Sequence, residues 1–247
     1  MAYLDDFDDG LDRARWLPSY LPHWSSRESA AATWTVDQSA LVLSIPPGQG
    51  RWCPDTHARP LRVSGVQSGA FSGPVGSTVG QQPFVDGLTV REEQRSWTGW
   101  TWDGGLLEVR ARMDLSARSM ASVWMIGVED APDRCGEICL FEVFGDAIDA
   151  GGAAVGQGVH PFRDPALVDD FEAPRQPVDV GGWHTYAADW RTDRVDFLLD
   201  GVVTRTVHQS PGYPLQMEIA VFDFPDRATP GDVPHVPRLW VDAVRAS

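Results

Sequence analysis

Gly136-Glu137-Ile138-Cys139-Leu140-Phe141-Glu142-Val143 sets two carboxylates inside one apolar, β-type run of a 247-residue chain. Ionisable side chains are rarely kept among apolar neighbours unless a partner or a chemical role holds them. A strand alternates its faces with period two, so residues five apart normally point to opposite sides of a sheet. A one-residue β-bulge between Cys139 and Glu142 reverses that parity and turns both glutamates into one cleft, and bulges collect beside active sites because they re-aim side chains. Two carboxyl groups roughly 5 Å apart suit retaining glycoside hydrolysis, one as nucleophile and the other as proton donor. Two like charges that close cannot both ionise easily, so one group keeps a proton near neutral pH. Ile138, Leu140, Phe141, Val143 and Phe144 surround the pair, which disfavours the alternative of two glutamates on a solvated strand face.

Outward from this stretch, short β-type runs recur between Gly, Pro and Asp punctuation, and no long segment holds a helical period. Strands are expected at 40–45, 61–66, 105–113, 121–127, 137–144, 184–190, 194–200, 202–207, 215–223 and 238–245, with Asp200-Gly201 as a hairpin turn. The pattern predicts one all-β domain over 1–247, a two-sheet sandwich of jelly-roll type with long loops around a concave cleft.

The segment 136–143 resembles the Glu-x-Asp-x-x-Glu signature of glycoside hydrolase family 16, in the longer, laminarinase-like spacing. Further stretches carry the same resemblance: Gly105–Met113, the Trp-bearing Ser122-Val123-Trp124-Met125, Gly182–Trp190, Val195–Gly201, the closing Leu239–Arg245 and the opening Leu4–Gly10. The region 45–98 resembles nothing recognisable. The resemblance implies a concanavalin A-like jelly roll, with Glu137 as nucleophile, Glu142 as acid/base and Trp124 as the floor of the cleft. The motif Asp falls on Cys139, a weak hydrogen-bond donor in place of the carboxyl that would hold the nucleophile. His160 falls where the family often carries a histidine near the acid/base, and Gln157 on the same segment is expected to face the ligand. Asp242 matches a position that helps bind a structural calcium in the family; Asp5, Asp6, Asp8 and Asp9 add oxygen donors but no EF-hand spacing. No cofactor is otherwise required.

The formal charge of −15 leaves no basic patch for phosphates and argues against a nucleic-acid partner. Every cationic side chain except His is Arg, and Lys and Asn are both absent, the bias of a high-GC, actinobacterial-type genome. Met1–Asp6 has no basic or apolar leader character, so a cytoplasmic monomer with reduced thiols is expected, unless the chain is a trimmed mature form; no membrane association is indicated. Cys53, Cys135 and Cys139 lack zinc-site spacing and read as small buried side chains.

Sugar rings stack on aromatic planes. The run Trp97-Thr98-Gly99-Trp100-Thr101-Trp102 gathers three indoles within six residues, making Trp97, Trp100 and Trp102 candidates for substrate contact, with Trp24 and Trp52 behind them and Trp183 and Trp190 assigned to the core. The segments 65–82 and 161–181 are expected to form walls of the cleft. The reading is an endo-acting retaining hydrolase of a β-linked glucan or galactan. Its rivals are a carbohydrate-binding protein with weak or no hydrolysis, and a hydrolase or transglycosylase of a small intracellular glycoside.

Overall fold

The computed structural model describes residues 3–229 and 234–247. Of the stretch Met1–Asp6 read for a leader, Met1 and Ala2 lie outside the described residues. In chain order the strands are β1 (Tyr3–Asp5), β2 (Thr33–Asp37), β3 (Ala40–Ser44), β4 (Arg62–Gln67), β5 (Gly69–Ala70), β6 (Trp97–Thr98), β7 (Gly105–Asp114), β8 (Ser119–Gly127) and β9 (Glu137–Phe144). They continue as β10 (Ile148–Asp149), β11 (Gly152–Ala154), β12 (Gly156–His160), β13 (Asp170–Glu172), β14 (Arg175–Gln176), β15 (His184–Trp190), β16 (Val195–Leu199), β17 (Val202–Val207), β18 (Leu215–Asp223) and β19 (Arg238–Ala246).

Two antiparallel sheets carry the fold. One runs β17-β16-β15-β7-β19-β3-β2, with β1 also on β19; the other, which bears the glutamates, runs β13-β12-β9-β8-β18-β4. Alternation assigns the faces. In β8, Ala121, Val123 and Met125 join Leu107, Phe141, Tyr186, Phe197 and Leu239 in the core between the sheets, while Met120, Trp124 and Ile126 face the other way. A second apolar cluster sits on that other face, where Leu21, Trp24, Trp52, Leu88 and Val90 from the loops pack over Trp124, Ala220 and Phe222. Strands β8 and β18 are therefore buried on both faces along their whole length, polar Ser122, Gln216 and Glu218 included.

Asp200 (φ 50°) and Gly201 (φ 78°) are both left-handed, the geometry of a type I′ turn, and join β16 to β17 as expected. The segment 65–82 is not one loop, since its first residues complete β4 and form β5. The excursion proper begins after Ala70 and crosses the outer face of the six-stranded sheet, with Gly80 against His23 and Trp24, where a Cβ would meet the indole at 2.8 Å.

Candidate active site

The bulge lies where two glutamates five apart require it. Across β8–β9 the register passes from Val123↔Phe141 to Trp124↔Cys139, so Leu140 is the extra residue. Glu142, Cys139 and Glu137 then pair with Ser122, Trp124 and Ile126, positions i, i+2 and i+4 of one strand. All three β9 side chains consequently share the outer face, whereas Ile138, Leu140, Phe141 and Val143 enter the core. On the other flank, β12 shifts register at the same level, from Gly156↔Glu142 to Gly158↔Cys139.

Burial pushes the Glu137 carboxyl well above the usual carboxylate range, and the negative charges of Glu142 and Glu218 push it further. Glu142 is also raised by burial, while His160 pulls it back. Neither carboxyl accepts a hydrogen bond among the described residues. Cys139 is buried in the second apolar cluster, its thiol reaches the Ser122 hydroxyl at 4.0 Å, and it is held neutral by burial and by both glutamates. Such a thiol offers Glu137 no strong donor. His160 pairs with Glu137 across β12–β9, holds Asp169 through Nδ1 at 2.6 Å, and stacks on Phe171 with ring centroids 4.7 Å apart. It makes no direct bond to Glu142.

Several expected ligand contacts lie elsewhere. Gln157 is fully buried and faces the core, donating to the Leu140 carbonyl at 3.1 Å and accepting from the Thr204 hydroxyl at 2.7 Å, so it does not face a ligand. The Trp97–Trp102 run is not one strand: β6 ends at Thr98, and Gly99 and Trp100 both donate backbone N–H to Ser68. Trp100 stacks on Tyr3 at 4.3 Å, and Trp102 enters the core at 7% exposure, so neither lines the cleft. Trp97 stays half-buried on the β5–β6 ribbon, against Gly99. Trp124 lies on the same outer face as the two glutamates, where Tyr20 and Phe222 pack against it and it is only 5% exposed. Trp24 and Trp52 are both buried in the second cluster. Trp190 is core, whereas Trp183 is a surface plate under Arg110 and Arg112.

Asp242, expected to help bind calcium, is taken by Arg110 at 2.8 Å, and Asp5 accepts the Trp16 indole N–H at 2.7 Å. Among the described residues no three His, Cys, Asp or Glu side chains converge on a cation position.

Sequence reading missed a further carboxylate beside the pair. Glu218, on β18 directly across from Trp124, is 1% exposed. Burial pushes it up to about 8. Gln82 and Gln216 donate to its Oε1, the latter at 3.1 Å. Gln82 also donates its backbone N–H to buried Glu129 at 2.7 Å, and Glu129 pairs with Arg163. The excursion after β5, the β8–β9 connection and the segment after β12 thus meet at one edge of the site. The signal was present in the sequence, because Met217-Glu218-Ile219 is a carboxylate in an apolar strand just as Glu137 and Glu142 are.

The family profile for glycosyl hydrolases family 16 matches residues 100–232, which contain both glutamates and their bulge. The chain belongs to this family. It is therefore a glycoside hydrolase, on the β-sandwich that its motifs implied. The fold of this family 16 member is similar to that of a GlcNAcα1-4Gal-releasing endo-β-galactosidase from Clostridium perfringens, at 24% identity and a TM-score of 0.80 over 99% of this chain. This chain spans 60% of the length of that protein. A laminarinase catalytic domain from Thermotoga petrophila shares 17% identity with a TM-score of 0.66, covering 98% of this chain and 95% of that one. Bacillus licheniformis β-glucanase shares 13% identity with a TM-score of 0.64, covering 100% and 97%. Among curated proteins, none matches the chain.

Proposed function

We propose that this family 16 hydrolase cleaves an internal β-linkage of a glycan with retention of configuration, Glu137 acting as nucleophile and Glu142 as acid/base. The observation that carries the reading is the bulge at Leu140, which turns both carboxyls onto one face and into mutual electrostatic contact. Burial raises both carboxyls, and the charge of Glu142 raises Glu137 further, so the pair holds a proton more tightly than free carboxyls do, and that proton belongs to the pair rather than to either residue. Positive charge developing at the anomeric carbon beside Glu137 favours its carboxylate and leaves the proton on Glu142, which delivers it to the departing oxygen. Attack of Glu137 gives a glycosyl ester; Glu142, now a base, takes a proton from water as the water opens that ester. No cofactor enters these steps, and we assign the activity to the monomer.

The test is reducing-end release from laminarin, lichenan, β-galactans and mucin glycans, with the anomer of the first product followed by proton NMR. β-Galactosyl linkages head the panel because the likeness to the endo-β-galactosidase has a higher TM-score than that to either glucanase. Release with retention that Glu137→Gln abolishes supports the reading; inversion, or release undiminished in that variant, overturns it. One observation favours a second reading, a glycan binder with little turnover: Cys139 gives Glu137 no hydrogen bond of the strength that a carboxyl would. Glycan binding without release would support it.

A further inference from the structure

Buried polar atoms are almost always hydrogen-bonded, so a group of them without partners points to something that completes the set. Around Trp124 there is such a group: Glu218 Oε2, Trp124 Nε1, Trp52 Nε1 and Gln216 Oε1 are all buried with no partner. They are contiguous. Glu218 pairs with Trp124 across β18–β8, Gln216 touches the Glu218 carboxyl, and Tyr20 packs between Trp52 and Trp124 at 5.0 and 6.3 Å. The Tyr20 phenol is held protonated by burial and then by the charges of Glu218 and Glu137. Its hydroxyl makes no hydrogen bond among the described residues.

We propose that Glu218, with the Tyr20 hydroxyl and the Trp124 indole N–H, forms a specificity-determining subsite that takes a hydroxyl group of the glycan beside Glu137. This rests on the hydrolase reading and goes beyond it in naming what holds the sugar. Glu218 Oε1 already accepts two N–H donors, from Gln82 and Gln216. Below pH about 8, where burial keeps the carboxyl protonated, the proton therefore sits on Oε2 as a free donor. The titratable groups facing it are Tyr20, Glu137, and Glu129 with its partner Arg163; none places a cation directly on Glu218. With Oε1 taken by its two donors, the neutral acid offers one hydrogen bond, from Oε2, which the oxygen of a sugar hydroxyl accepts. Once ionised it gives none, and an approaching hydroxyl can only donate to it.

The experiment compares the parent, Glu218→Gln, Glu218→Leu and Glu137→Gln for release from laminarin and a β-galactan between pH 5 and 10, with melting temperatures alongside. Glu218→Leu is expected to raise KM roughly tenfold, the equivalent of one lost hydrogen bond, with kcat less affected. Glu218→Gln keeps a donor, so it restores most of that KM and removes the KM increase above pH 8. Parental KM in a folded Glu218→Leu, as filling by water alone would give, overturns the proposal. So does an alkaline KM limb that survives in Glu218→Gln. Absence of release by the parent would count against the hydrolase reading instead. Glu218 is then read by carboxyl-¹³C glutamate NMR with laminaribiose and galactobiose: a resonance titrating near pH 8, absent in Glu218→Gln and shifted by either disaccharide, supports the subsite, and no such shift overturns it.

Discussion

Gln157 donates its side-chain N–H to the carbonyl of Leu140, the residue that the bulge leaves without a cross-strand partner on β8, at 3.1 Å. The Thr204 hydroxyl donates to Gln157 Oε1 at 2.7 Å, so this one amide ties the bulge in the six-stranded sheet to β17 of the other. The side chain expected to touch substrate instead braces the glutamate-bearing strand β9 at its bulge. Gln157→Leu, close in volume, takes the side-chain donor from the Leu140 carbonyl and leaves the Thr204 hydroxyl with the Phe197 carbonyl alone, at 3.2 Å, and is expected to destabilise the fold by about 1–3 kcal/mol. The bulge then relaxes and kcat falls while KM changes little. Denaturant unfolding and steady-state kinetics check this; an unchanged midpoint and kcat would show the staple to be inert.

Gly156 leaves room for the aromatic wall beside Glu142. A Cβ there would meet Phe171 Cζ at 2.5 Å and Glu142 Cβ at 3.2 Å. Gly156→Ala is expected to push Phe171 off its stack on His160 and shift Glu142, lowering kcat by about tenfold, since small misplacements of catalytic groups carry such penalties. Wild-type kcat in this variant would mean that Phe171 yields without disturbing the acid/base.

Cys139→Asp tests what the missing motif carboxyl does. A carboxylic acid at 139 can donate to Glu137 and favour its ionised form, where the thiol cannot. The acid limb of the pH–rate profile should move to lower pH, with turnover at pH 5 rising about tenfold. Stability should drop by about 1–3 kcal/mol, because a polar group enters a buried position. An acid limb that stays in place would separate the proton affinity of Glu137 from residue 139.

Folding stability should fall with rising pH. Burial holds Glu129 at about 7 and Glu218 at about 8, both above the value of a free carboxyl. The native state therefore keeps protons that the unfolded chain has already lost. The stabilisation is complete below the unfolded value and fades as pH climbs through the native ones, at up to about 1.4 kcal/mol per pH unit per proton. Urea midpoints measured from pH 5 to 9 should decline and then level off, and Glu218→Gln should remove the upper part of the decline. A midpoint that rises over this range would contradict the burial of these carboxyls.

The strands over 137–144, 184–190, 202–207 and 215–223 were legible to the residue, because β-branched and aromatic runs end sharply at Gly, Pro and Asp. β12 was not counted among them: Gly156-Gln157-Gly158 carries almost no β signal, and its glycines are there for Phe171 and the bulged neighbour. The clustered tryptophans misled because Trp97 and Trp100 are three apart, a spacing that no single strand face can hold, and β6 ends between them at Thr98. Glu218 escaped notice, though it obeys the same rule as the two glutamates that were found, since β18 has no motif to draw attention to it.

By itself the sequence determined the sandwich and the bulge, for both are local consequences: alternation sets the faces, and two glutamates five apart can share a face only if one residue is skipped. It also determined the family, through residues that recur at fixed spacing. Only the tertiary structure decided what surrounds the pair. It sent Gln157 and Trp102 into the core, gave Asp242 to Arg110, and gathered Tyr20, Gln82, Glu129 and Glu218 on the face of the sheet that carries Glu137 and Trp124. Those groups come from segments up to 198 residues apart in the chain, Tyr20 to Glu218. What unites them is the packing of loops over one face of a sheet, and no local period encodes it.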